Sequence, residues 1–156
     1  MIDHDLFAPV PKKLLDDLEA MLALVKPRLF RAQRRCILNP TFGSASALVG
    51  GADADLIIDD TLIDVKSSKH LTFEREVFNQ VIGYYVLSCI GGVAGCAGGP
   101  SIKRVGVYFA RYGILHTLPI SDCIPRSELP AFLRWFTKRA RSEYPMRFKH
   151  AAAAQS

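Results

Sequence analysis

The chain has 156 residues, enough for one full hydrophobic core and too few for two. With 49% hydrophobic and 22% charged residues it is a folding, globular composition, which excludes low-complexity and fibrous classes. No apolar run reaches the roughly eighteen residues of a membrane span, and the opening MIDHDLF lacks the basic and apolar regions of a signal peptide. A single domain over 1–150, a disordered tail over 151–156, a cytoplasmic location and no membrane partner are therefore expected. A formal charge of +5 and a pI near 9.2 permit a nucleic-acid partner without demanding one.

Taken in order, the chain should open with a helix. Pro11 suits a first turn, Leu14, Leu15, Leu18, Leu22 and Val25 repeat at helical spacing, and Pro27 stops the pattern. The basic run Lys26, Arg28, Arg31, Arg34 and Arg35 follows, either gripping phosphates or forming a solvated face. It ends in the apolar Cys36-Ile37-Leu38, and Asn39-Pro40 marks a turn. Ser44 to Val49 reads as a first strand leading into Gly50-Gly51.

The segment GGADADLIIDDTLIDVKSS, from Gly50 to Ser68, reads as two strands about a tight Asp59-Asp60 turn. With those two residues as the loop, Ile58 faces Thr61, Asp55 faces Asp64 and Asp53 faces Lys66. Side chains two apart share a face, so three carboxylates and one ammonium would project together. Facing like charges destabilise a hairpin unless a cation lies between them. Oxygen ligands of this kind suit magnesium or manganese, and a lysine beside such an ion can hold a water or stabilise charge on a phosphate. The pattern points to metal-assisted phosphodiester hydrolysis. A calcium loop of the EF-hand type fails, because Ile57 and Ile58 stand where a third oxygen ligand and a glycine belong.

Ser67, Ser68, Lys69 and His70 form a polar exit. Thr72 is a candidate cap for the next helix, with Glu74 and Glu76 near its positive end and Val77, Phe78, Val81, Ile82, Tyr85 and Val86 on a broad buried face. Gln80 and Tyr84, four apart, share a side of that helix. Gly91 to Pro100 lacks the G-K-[ST] of a phosphate-binding loop and reads as a flexible connection. Arg104 to Arg111 and Ile114 to Ile120 alternate as a hairpin about Tyr112-Gly113, where Tyr108, Arg111 and Tyr112 either meet DNA or serve the edge. A last helix is expected from Ser127, with Leu133, Trp135 and Phe136 packing and Arg134, Lys138, Arg139 and Arg141 facing out.

Asp55 followed by Asp64-Val65-Lys66 resembles the bipartite signature of the PD-(D/E)XK nuclease superfamily. The wording ADLI…LIDVKSS and the downstream Q-x-x-x-Y at Gln80 and Tyr84 are similar to its RecB-like branch. The resemblance implies a restriction-endonuclease-like α/β core, a central mixed β-sheet flanked by helices. It implies Asp55, Asp64 and the carbonyl of Val65 as ligands of Mg2+ or Mn2+, Lys66 as the catalytic lysine, and Gln80 with Tyr84 at the edge of the active site, holding DNA. Function by resemblance is divalent-metal-dependent DNA cleavage giving 5′-phosphate and 3′-hydroxyl ends. The competing class is a DNA- or partner-binding protein on the same fold, and the small size suggests a protein partner for target recognition.

Family members often add an acidic residue from the first helix, but spacing does not choose among Asp16, Asp17 and Glu19. Some RecB-like relatives hold an iron–sulfur cluster on one cysteine before the core and three clustered after it. Here Cys36 precedes the core while Cys89, Cys96 and Cys123 are scattered without a C-x-x-C, which favours four reduced thiols.

Overall fold

A computed structural model describes residues 10–96 and 101–144. Its elements in chain order are α1 (Lys12–Ala23), a 3-10 turn (Pro27–Phe30), β1 (Cys36–Leu38), α2 (Ser44–Ala47), β2 (Leu56–Ile58) and β3 (Thr61–Lys66). Then come α3 (Arg75–Gly91), β4 (Arg104–Phe109), a 3-10 turn (Ala110–Tyr112), β5 (Ile114–Pro119), α4 (Ile120–Cys123) and α5 (Leu129–Glu143). The five strands form one mixed sheet in the order β1-β2-β3-β4-β5. Only the central pair β3·β4 is parallel, and a parallel pair needs a long crossover, which α3 supplies. The protein is therefore α/β, a five-stranded mixed sheet flanked by helices.

One sheet face carries Ile57, Leu62, Val105, Val107 and Phe109 into the main core, where they meet Phe42 and the buried side of α3, Val81, Ile82, Tyr85, Val86 and Leu87. Of the helical face expected from the sequence, Val81, Ile82, Tyr85 and Val86 are buried, Val77 and Phe78 are half-buried against the core, and Leu87 joins the buried set. A helix apolar around so much of its circumference is enclosed, and α3 packs against the sheet, α2 and α5. The other sheet face has a smaller cluster, Ile58, Ile63 and Tyr108, covered by Leu29, Phe30 and Ala32, with the Phe30 ring edge-on to Tyr108 at 4.8 Å.

Several expectations are corrected. Ser44–Ala47 is a helical turn, not a strand; the first strand is Cys36–Leu38. Gly43 enters that turn at φ 55°, and Ala45 is buried beneath Gly91, where a Cβ would collide with the Phe42 carbonyl and Ala45. Thr72 does not cap α3: the helix begins after Glu74, and the Thr72 hydroxyl donates to the Glu74 carboxylate at 3.0 Å. Ser127 likewise yields to Glu128 as the residue before α5, and Trp135 is 57% exposed instead of packed.

α1 forms where expected, yet none of its residues is buried, and Leu14, Leu15, Leu18 and Leu22 are exposed. It is tied down through Asp17, whose carboxylate takes two bonds from the Arg111 guanidinium, the Nη2 one at 2.7 Å. Arg111 Nε donates to the Ser67 carbonyl at 2.6 Å, and the Tyr112 hydroxyl donates to the Lys69 carbonyl at 2.5 Å. These two residues hold the exit of β3. Among the described residues, no helix is long and apolar enough to cross a membrane. The glycine-rich connection is described as far as Cys96, and the expected tail lies outside the described residues.

The β2–β3 turn does more than reverse the chain. Asp59 sits at φ 53°, and its carboxylate accepts the backbone N–H groups of Gln33, Arg34 and Arg35 at 3.0, 2.8 and 3.0 Å. The segment carrying the basic run into β1 is thereby pinned to the hairpin tip. Those three donors hold the Asp59 carboxyl below the usual carboxylate range. A depressed folded-state value contributes stability that is complete above the unfolded value and is lost as pH falls through the folded one. Asp59→Asn, which keeps the left-handed preference, should therefore lower the melting temperature at pH 7 and narrow the gap to wild type as pH is taken below the carboxylate range. Melting curves of both proteins across pH 7 to 2 check this.

Candidate functional site

The β2–β3 ladder has the expected register at its tip: Ile58 pairs with Thr61, Ile57 with Leu62 and Leu56 with Ile63. Beyond Leu56 the chain leaves β3. Asn39 donates to the Asp55 carbonyl at 2.8 Å, Ala54 donates to the Pro40 carbonyl at 3.1 Å, and Asp53 pairs with Thr41. Asp53 is thus exposed and not opposite Lys66, which corrects the sequence reading. Asp55 turns its carboxylate back toward β3, where Oδ2 accepts the Val65 N–H at 2.5 Å.

Asp64 and Lys66, two apart on β3, share the face that looks at α3. Asp64 is only 4% exposed and is the one charged residue in the buried set. Lys66 Nζ stands 2.8 Å from Asp64 Oδ2 as an ion pair, but off the direction of a hydrogen bond, which leaves that buried oxygen without a hydrogen-bond donor among the described residues. Burial pushes the Asp64 carboxyl above its usual value, Lys66 opposes this, and the nearby Asp55 charge adds to it.

Lys66 also donates to Gln80 Oε1 at 2.7 Å, and Gln80 Nε2 donates to the Tyr84 hydroxyl at 2.6 Å. The Tyr84 ring stacks on the wholly buried Phe42, centroids 5.8 Å apart and 28° between planes. A polar chain therefore runs from Asp64 through Lys66 and Gln80 to Tyr84 and ends on an apolar footing. Both ends of the Gln80 amide are engaged inside the protein, so here Gln80 steadies the lysine. Burial raises the Tyr84 hydroxyl's pKa above its ordinary value.

The structure thus brings together Asp55, Asp64, Val65, Lys66, Gln80 and Tyr84. It does not bring in Asp53. Asp16 pairs with Lys12, Asp17 serves Arg111, and Glu19 has no ion-pair or hydrogen-bond partner among the described residues. Sequence reasoning missed Phe42, whose only signal was a large apolar residue between a proline turn and a glycine. Cys36, Cys89, Cys96 and Cys123 are free thiols.

The donor set suits a hard divalent ion. Two carboxylates lie together, and a strand residue's N–H and carbonyl point to the same edge, so the Val65 carbonyl faces the Asp55 side. Among the described residues no three Asp, Glu, His or Cys side chains group as a complete cage. Magnesium commonly keeps several waters and needs only one or two carboxylates. Comparison with models of protein families, with curated proteins and with solved structures finds no match.

Two outcomes follow from this geometry. Since the folded-state value of Asp64 is raised, its stabilising effect is complete below the unfolded value and lost as pH rises through the folded one. Ionised Asp64 therefore costs stability at neutral pH, and Asp64→Asn should melt no lower than wild type there, with the difference vanishing in acid. Tyr84→Phe keeps the ring on Phe42 but removes the acceptor for Gln80, which should cost about 0.5–1.5 kcal/mol of stability. Calorimetry with manganese on both proteins tests whether an ion would sit on the hairpin, since Tyr84→Phe would then leave its affinity unchanged.

Proposed function

We propose that the chain is a divalent-metal-dependent DNA phosphodiesterase on a restriction-endonuclease-like core of the RecB-like type. The observation that carries this reading is the buried Asp64 carboxylate, flanked by Asp55 and held against a lysine that α3 positions through Gln80. Burying a carboxylate is costly, and a role in chemistry accounts for placing one here beside a lysine.

Asp55, Asp64 and the Val65 carbonyl would hold magnesium or manganese. When bound, such an ion acidifies a coordinated water and neutralises charge on the phosphate. Asp64 and Asp55 fix where the scissile phosphate sits relative to the protein. Lys66, half-buried and kept in place by Asp64 and Gln80, offers ammonium donors to an attacking water or to a non-bridging phosphate oxygen. Tyr84 holds the Gln80 amide with its oxygen toward Lys66. In-line attack at phosphorus with loss of the 3′-oxygen leaves a 5′-phosphate and a 3′-hydroxyl. The proposed setting is the cytoplasm.

A second reading, a binding protein on this fold that depends on a partner, draws on the uncovered leucines of α1. Labelled DNA incubated with the pure protein and manganese separates the two. Hydrolysis is expected, inhibited by chelator, abolished by Asp64→Asn, and slowed by about 10²–10⁴-fold in Lys66→Ala. Full activity in Asp64→Asn would remove the assignment, and DNA binding without turnover would favour the binding protein.

A further inference from the structure

A second surface lies on the other side of α3. Between α3 and α5 runs a groove of about 530 Å3, with Arg75, Asn79 and Gly83 along one wall and Phe132, Trp135 and Arg139 along the other. We propose that this groove binds a segment of single-stranded DNA, with Trp135 as the stacking platform and Arg75 as a phosphate contact. The proposal extends the hydrolase reading by locating unpaired substrate, and its test requires no cleavage.

Three features lead to this ligand. The Phe132 and Trp135 rings stack at 5.5 Å with 21° between planes, and Trp135 stays 57% exposed, so its outer face can continue the stack. Every base offers a π-face, but only an unpaired one can present it to a side chain. Opposite Trp135, Gly83 opens the wall: a Cβ there would meet nothing within 4 Å.

The charge also fits a polyanion. The Arg75 side chain is exposed and makes no hydrogen bond or ion pair with a described residue. Arg139 is paired with Glu143, the groove's one acidic lining residue. Arg134 and Lys138 line a separate hollow on the other face of α5, so the groove's own cations are Arg75 and Arg139. An acidic peptide would satisfy the arginine but would leave the tryptophan face unused. Arg75, Asn79 and Gly83 lie on a different face of α3 from Gln80 and Tyr84, so one helix carries both the groove wall and the candidate site.

Trp135 is the only tryptophan in the chain, so its fluorescence reports the groove directly. With metal removed by chelator, an oligothymidylate of about twelve nucleotides should quench it saturably. Arg75→Ala should reduce the slope of log affinity against log salt by about 0.7. Trp135→Ala, followed by anisotropy of the labelled oligonucleotide, should weaken binding about 5- to 150-fold, whereas Trp135→Phe should retain most of it. Circular dichroism should be unchanged in all three variants. An unquenched Trp135, a salt slope indifferent to Arg75→Ala, or equal quenching by duplex DNA or a polyglutamate peptide would overturn the proposal. Cleavage by a protein whose Trp135 is unquenched would remove the groove and leave the hydrolase. Quenching in a protein that hydrolyses nothing would keep the groove and remove the hydrolase.

Discussion

A carboxylate buried against α3 sets the conditions for everything around it. Taking the Asp64 charge out of water is costly, and the protein supplies only partial compensation: an ion pair with Lys66, with Asp55 adding repulsion. Lys66 must therefore be held near Asp64, and a long flexible lysine does not stay in one place unaided. The Gln80 amide oxygen accepts a hydrogen bond from it, Tyr84 orients Gln80, and Phe42 supports Tyr84. Each member has a different neighbour to satisfy, so the chain from strand to helix to loop fixes α3 in rotation and in height over the sheet.

That requirement accounts for the close packing at the far end of α3. Phe42 reaches Tyr84 because its loop passes against Gly91, where no side chain fits. The Thr41 carbonyl accepts from Ala94 at 2.9 Å, and the Phe42 N–H donates to the Ser46 hydroxyl at 3.0 Å. Ser46 in turn donates to the Ala52 carbonyl at 2.7 Å, which joins this loop to the run leading to Asp55. The two carboxylates and the aromatic footing are thus parts of one hydrogen-bonded frame.

What could be read in the sequence follows the range of the interactions involved. The Asp-Asp turn and the alternation of apolar residues are local, and they gave the hairpin register through Ile63 correctly. The four-residue spacing of Gln80 and Tyr84 put both on one side of α3, and their bond to each other bears that out. Asp53 failed because its partner was decided elsewhere: Asn39 to Thr41 captured the chain beyond Asp55. Ser44–Ala47 alternates like a strand, but the left-handed Gly43 and the contact of Ala45 with Gly91 favour a compact turn. Asp59, read only as a turn residue, proved to be an anchor for a segment more than twenty positions earlier, which no local pattern encodes.

α1 shows how a weakly held element can matter to the site. A helix of twelve residues is marginal by itself, and in most proteins an amphipathic face buried against the core stabilises it. Here that face is exposed, and the attachment is instead the Asp17–Arg111 pair together with the approach of the Leu24 backbone to Gly113, where φ is 61° and a Cβ would stand 2.6 Å from the Leu24 carbonyl oxygen. A partly exposed ion pair contributes little in isolation. Arg111, however, also holds the carbonyl of Ser67, the residue after Lys66. One guanidinium therefore joins the position of α1 to the end of the strand that carries the candidate lysine. Because Asp17 and Ser67 share that group, the helix has a hydrogen-bonded route to Lys66 from one side, and the end of β1 has another of similar length through Asn39, Asp55 and Val65.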